Sequence, residues 1–302
     1  MSKIRNTTRD KLLSWALLAP SILIIAVFVY GFIAFTGFAS VTRWATLVPD
    51  FTFVGTTNYS RVLGDSRFRI DIVNIVEFSV VFILFCLALG FFLAVLVDQH
   101  VVGENMFRAI YLLPLAVSPI VTGVVWRWLM SPGNEATGPQ GLNALFDSAG
   151  LGFLKNGWFT DENFGIKAVA IAAGWQMAGY AMALYLANLR NIPDELREAA
   201  RLDGASEFAV YQRVIVPLMR PVTVSIVVVL GQVALNVFGL VLALSGRGVG
   251  FSSDVPAILL FDTAYRSGLV GRGAAIATIL FLLVAVLVVP YLARMLRQET
   301  AR

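Results

Sequence analysis

Six long apolar runs, at approximately 12–38, 72–97, 107–130, 166–189, 222–244 and 274–293, constrain this chain more than anything else in it. A helix needs about 20 mostly apolar residues to cross about 30 Å of hydrocarbon, and each run meets that length. Backbone in lipid has no water to bond, so each run must satisfy its own polar groups as a helix. The chain is 58% hydrophobic and only 14% charged, against about 25% charged in soluble domains. The expected fold is therefore an all-α polytopic membrane protein with six transmembrane helices. Lys3, Arg5, Arg9 and Lys11 precede the first run, as in a signal peptide. That run is well beyond the roughly 7–15 residues of a signal's apolar core, and is read as a retained span.

Basic residues set the orientation. The head, Arg190, Arg197, Arg201, Arg213 and Arg220, and the tail fall on one side. The sparser remainder lies in longer loops on the other. Both termini and the stretch 190–221 are thus expected in the cytoplasm. The net charge of +4 is accounted for by these flanks and does not point to nucleic acid. Cys86 is the only cysteine and His100 the only histidine, so neither a disulfide within the chain nor a cysteine-based metal site is possible, and no cofactor or metal is expected. The outer loops carry turn signals, at Val54-Gly55-Thr56-Thr57-Asn58-Tyr59, Ser131-Pro132-Gly133-Asn134 and Gly138-Pro139-Gln140-Gly141. Trp158 and Phe159 suit headgroup depth.

Pro20, Pro114, Pro119 and Pro290 lie in spans and each is expected to kink its helix. The carbonyls they free must be met by neighbouring helices or water, so the pair in span three is a candidate bend lining a pore. Glu77 is the one acid well inside a predicted span, and Arg127 sits near a span end where it can reach the interface. A proton-coupled carrier would place several acids or histidines at mid-depth. Here the polarity is neutral: Gln176 and Tyr180 in span four, Gln232 and Asn236 in span five. Each pair is four residues apart and shares a helix face. Amides and a phenol can bond a neutral, hydroxyl-rich solute without a charge to desolvate. They can equally tie one helix to another.

Between Asn191 and Pro221 the chain reads as two short helices. Asn191 is expected to cap the first, with Pro193, Asp194 and Glu195 in its opening turn. Gly204 supplies a left-handed stop. Ser206 caps a second helix, expected to end by Pro217. Ala199 and Ala200 make a face that another protein can approach closely, with Glu198, Arg201 and Asp203 as orienting charges.

Glu198-Ala199-Ala200, Gly204, Val214, Val216 and Pro217, at that spacing between two spans, resemble the EAA signature of permease subunits in binding-protein-dependent ABC importers. Asp203-Gly204-Ala205-Ser206, Pro221, Gly55, Asn58-Tyr59, Leu112-Leu113-Pro114 and Trp175-Gln176 resemble the carbohydrate-uptake branch, in its maltose- and glycerol-phosphate-type first permeases. The two valines stand where isoleucine and leucine are commoner. Ser245-Gly246-Arg247-Gly248-Val249 departs from the Thr-Gly-Gly-Gly-Pro stretch of that group. The resemblance implies a type I ABC importer permease fold. Residues 1–70 would hold the cytoplasmic N-terminus, first span and first external loop. Residues 71–293 would form a five-helix core with the coupling loop 190–221, and 294–302 a cytoplasmic tail. It also implies a bacterial or archaeal cytoplasmic membrane and a second, homologous permease subunit as heterodimer partner. Two ATP-binding cassette subunits would sit below and an extracytoplasmic solute-binding protein above. Glu198, Ala199, Ala200, Asp203, Gly204 and Pro217 would couple to the ATPase. Gln176, Tyr180, Gln232 and Asn236 are the substrate-path candidates.

No Gly-x-x-x-x-Gly-Lys-Ser/Thr phosphate loop is present, so ATP hydrolysis is assigned to a partner chain and this chain is no enzyme. The expected cargo is a mono- or oligosaccharide. Alternatives are a glycerol-phosphate-type or other non-sugar solute, which Arg127 and Arg247 would suit, and an ion-coupled secondary carrier. A polytopic membrane enzyme would need a cluster of His, Asp, Cys or Ser near one membrane face, and the sequence has none.

Overall fold

The computed structural model describes residues 8–46, 48–99, 103–134 and 136–300; Lys3, Arg5 and His100 lie outside them. In chain order the α-helices are α1 (Thr8–Ile25), α2 (Phe32–Ser40), α3 (Thr57–Gly64), α4 (Ser66–Asp98) and α5 (Glu104–Leu112). Next come α6 (Pro119–Leu129), α7 (Gly141–Ser148), α8 (Gly165–Leu189), α9 (Asp194–Leu202) and α10 (Glu207–Val210). The last are α11 (Val216–Leu218), α12 (Arg220–Leu235), α13 (Gly239–Leu244), α14 (Pro256–Phe261) and α15 (Val270–Thr300). Among the described residues the only β structure is two isolated bridges, Thr42 with Phe53 and Asn134 with Gly138.

Four helices are long and apolar enough to span on their own: Leu17–Ser40, Ser66–Asp98, Gly165–Leu189 and Val270–Tyr291. Two bent pairs bring the number to six, Glu104–Ala116 with Pro119–Leu129 at 99° and Glu207–Leu218 with Arg220–Leu235 at 63°. The prolines divide into two kinds. Pro20 and Pro290 lie inside helices that run on past them. Pro114 and Pro119 flank a true break, where Val117 and Ser118 are extended (ψ 137° and 142°); Ser118 stands before Pro119, and a residue before proline avoids the helical region.

The chain forms two units. One comprises residues 1–64 with 260–279. In it α3 is fastened to the end of α2 by Asn58, whose Nδ2 donates to the carbonyls of Ser40 at 2.9 Å and Thr42 at 2.8 Å. Tyr59 reaches the Ser40 hydroxyl at 2.6 Å. The start of α15 presses on the same turn, since a Cβ at Gly271 would stand 2.6 Å from the Thr42 carbonyl oxygen.

The other unit comprises residues 65–259 with 280–302, and α8 runs through its centre. α4 buries Ile75, Phe78, Phe82, Cys86, Gly90 and Ala94 along one face, the three-and-four spacing of an α-helix. That stripe meets the small residues of α8. A Cβ on Gly90 would lie 2.6 Å from that of Ala181, so glycine is what lets the two backbones close up, as small residues do in membrane interfaces. The segment 136–165 folds around Asn143. Its side chain donates to the Asn156 carbonyl at 2.9 Å and accepts from Trp158 Nε1 at 2.8 Å.

Candidate functional site

Two places in the second unit carry the polar chemistry: an elbow at 190–221 and two mid-span breaks.

At the elbow, α9 begins at Asp194 with Pro193 in the capping position. Asn191 is not the cap; it lies in the turn that closes α8, its amide bonded to the Asn188 carbonyl at 3.1 Å. Two residues, Ile192 and Pro193, separate it from Asp194, so the capping position falls on Pro193 and not on Asn191. α9 stops as expected. Gly204 sits at φ +84°, the Ala205 amide bonds to Ala200 O and the Gly204 amide to Arg201 O, each at 3.0 Å. This is the paired-bond stop that a left-handed glycine permits. The Ser206 hydroxyl then accepts from the Ala209 amide at 3.3 Å and caps α10. The second helix does not end at Pro217. A π turn at Tyr211–Ile215 precedes α11, which contains Pro217, and the bend comes at Met219. Widening the turn before proline relieves the clash with the carbonyl four residues back.

Charge fastens the elbow to the spans. Arg197 donates through Nη1 and Nη2 to Asp98 Oδ2 at 3.1 and 3.2 Å, and through Nη2 to the Leu189 carbonyl at 3.2 Å. One guanidinium therefore joins the ends of α4 and α8 to α9. Arg190 pairs with Glu104 at 2.8 Å, and that bond holds its guanidinium above the usual range. Across the Gly204 turn, Arg201 grips Glu207 at 2.7 and 3.2 Å. A polar cavity of about 540 Å³ lies among these groups.

The outward face of the elbow is different. Glu198, Ala199, Asp203 and Gly204 are exposed, while Ala200 and Pro217 are half-buried. Glu198 makes no ion pair among the described residues. Two residues that sequence reasoning passed over stand out farthest: Leu202, 88% exposed, and Phe208, 76% exposed, one on each side of the turn. Their signal was present in the sequence, as large apolar residues set among charges in a segment too polar to span.

The breaks gather the mid-span amides. Gln176 is buried and donates from Nε2 to the Val117 carbonyl at 2.6 Å, meeting an acceptor that the proline break frees. Span five breaks as well, without proline. α12 ends at Leu235, Phe238 has non-helical angles, and α13 starts at Gly239. Asn236 Nδ2 donates back to the Gln232 carbonyl at 2.9 Å and closes the end of α12. The segments beyond the two breaks, α6 and α13, lie against each other, with room for only a hydrogen at Gly123 facing Ala243. Gln232 and Asn236 are exposed and Tyr180 is half-buried. Among the described residues no hydrogen bond links the pair on α8 to the pair on α12. Glu77 pairs with Lys167 at 2.9 Å. Two further acids in this unit were missed, Asp71 and Asp254, both fully buried, the second held by Arg67 at 2.6 Å. Among the described residues no group of acids, His and Cys could hold a metal.

Residues 86–302 match the family of binding-protein-dependent transport system inner membrane components. The chain belongs to that family. A probable ABC transporter permease of Pyrococcus horikoshii is 38% identical over 275 residues, 91% of this permease and 92% of the relative. The xylose/arabinose import permease of Haloferax volcanii is 35% identical over 271 residues, covering 89% and 83%. In fold, the permease is similar to a chain of a bacterial alginate ABC transporter solved with a periplasmic protein carrying an alginate pentasaccharide, at TM-score 0.78, 19% identity and 95% coverage of each. The elbow and both breaks fall inside the matched residues.

Proposed function

We propose that the permease is one of two homologous membrane subunits of an ABC importer that carries a sugar into the cytoplasm. Two ATP-binding cassette subunits hydrolyse the ATP, and an extracytoplasmic solute-binding protein delivers the cargo. In this reading both termini and the loop 190–221 face the cytoplasm, the head and first span belong to residues 1–70, and the five-span core to 71–293. The observation that carries it is the elbow. Arg197 and Asp98 lock it inward, while Leu202, Phe208, Glu198 and Ala199 are offered outward. Two short helices that each expose a large apolar side chain to water, Leu202 on α9 and Phe208 on α10, are costly unless a partner covers them. An ATPase pushing on that face would act through Arg197 directly on the ends of α4 and α8.

For the cargo, the neutral amides Gln176, Gln232 and Asn236 and the phenol of Tyr180 suit hydroxyl-rich solutes. A pentose-importing relative at 35% identity supports the same class. The test uses cysteines placed one at a time at Leu202 and Phe208 in a Cys86→Ala background, with the importer in membranes. Crosslinks to an ATP-binding subunit, with yields that change on ATP addition, are expected. Failure of both positions to capture that subunit, or their labelling by an impermeant reagent from outside the cell, sinks the proposal.

A further inference from the structure

The unit formed by residues 1–64 and 260–279 holds a cavity of roughly 430 Å³, apart from the elbow and the breaks. Three arginines line it, Arg43 after α2, Arg61 on α3 and Arg272 in the first turn of α15, and no carboxylate does. Asp50, near Arg43, has its carboxyl held below the usual range chiefly by the Thr52 hydroxyl and amide, with Arg43 a minor contributor. Among the described residues no carboxylate makes an ion pair with any of the three cations. The frame beneath is firm: Asn58 ties α3 to the 40–42 turn, and the Gly271 amide donates to the Trp44 carbonyl at 2.7 Å.

Trp44 also lines a second space, an apolar groove of roughly 480 Å³ bounded by Phe35, Ala264, Gly268, Ala274 and Ala277. Phe35, Trp44, Phe51 and Phe38 form one chain of ring contacts between 5.7 and 6.5 Å, with the three phenylalanines about half exposed. Such a girdle belongs at headgroup depth. A cationic cradle thus opens beside an apolar groove at the level where phosphate meets acyl chain.

We propose that this pair of cavities binds one anionic phospholipid, its phosphate among Arg43, Arg61 and Arg272 and an acyl chain in the groove past Trp44. Arginine suits phosphate because its fork can bond two oxygens at once. The two spaces together match an amphiphile, and either alone would match only half of it.

The experiment uses the full-length chain in nanodiscs of phosphatidylcholine, with phosphatidylglycerol added as the probe and retained lipid counted by native mass spectrometry. Phosphatidylglycerol is expected to be retained in preference. The double variant Arg61→Gln with Arg272→Gln should lose about 30-fold of that preference, from two interfacial cations removed. Ala277→Phe, which fills the groove and leaves the arginines alone, should weaken lipid retention too. Helical content by circular dichroism confirms that each variant is folded. Equal retention of both lipids by the wild type, or an undiminished preference in the double variant, overturns the proposal. So does displacement of the lipid by glycerol phosphate at similar concentration with Ala277→Phe unaffected, which would make this a site for free phosphate.

Discussion

At the elbow, broken helix ends are held by charge: Asp98 and Arg197, Arg190 and Glu104, Arg201 and Glu207. At the mid-span breaks, the same kind of loose end is held by neutral amides, Gln176 on Val117 and Asn236 on Gln232. The difference follows from solvent. Near water a guanidinium keeps part of its hydration while it pairs, and one Arg197 serves an acid and a carbonyl together. At the depth of the breaks an ion would lose that hydration, whereas an amide meets a carbonyl at the ordinary cost of a polar group. Charge thus fixes the elbow to the ends of α4 and α8, and the amides close the breaks without an ion.

Asp98→Ala should have the largest effect on stability. It strands Arg197 in a mostly buried position, and truncating one partner of such a pair costs about 3 kcal/mol. Thermal unfolding of the purified chain should reveal it. Asp98→Leu with Arg197→Met should cost less than the sum of the single changes. A single-variant loss well under 1 kcal/mol would mean that charge does not hold the elbow.

Gln176→Leu comes next. It leaves the Val117 carbonyl without its donor in a buried setting, at about 1–3 kcal/mol. The loss should appear in thermal stability first and in transport as a lower maximal rate, because the break itself loosens. Unchanged stability would show that water already serves that carbonyl.

Gly204→Leu is expected to cost only about 1–2 kcal/mol, the strain of a side chain in the left-handed region, as a Cβ there meets nothing within 4 Å. Uptake and stimulated ATP hydrolysis should fall far more than stability does, since the elbow's two exposed anchors sit on either side of that residue. If activity tracks stability instead, the turn is only a turn.

Much of this was legible in the sequence. The six spans follow from length and hydropathy, and the Gly204 stop and Ser206 cap from single residues with one conformational use each. Span three was expected to bend at Pro114 and Pro119, and it does. The break after Asn236 was hidden, since no proline marks it and Val222–Leu244 reads as one apolar run; the close contact of α13 with α6 at Gly123 and Ala243 is a feature of the folded chain alone. Arg197 was hidden for another reason. Its partner Asp98 is 99 residues away, and nothing in the local pattern of α9 distinguishes an arginine turned inward from one in solvent. Leu202 and Phe208 were visible as apolar residues in a polar stretch, but exposure is a property of the folded turn.

Asn236→Ala should have the smallest effect on stability. Its bond to Gln232 O is exposed, so removing it is expected to cost about 0.5 kcal/mol. With Nδ2 committed to that carbonyl, the amide oxygen is left to accept a hydroxyl from cargo. Loss of such a bond would raise KM for the transported sugar while thermal unfolding stays nearly fixed, the reverse of the pattern expected for Gln176→Leu. Gln232→Ala separates the two roles, because it removes a proposed cargo contact from the same helix face and leaves the backbone carbonyl that Asn236 caps, so KM should rise with no change in unfolding. Should Asn236→Ala leave KM where it was and lower only the unfolding temperature, the amide is a helix end cap, and the cargo route must be drawn elsewhere.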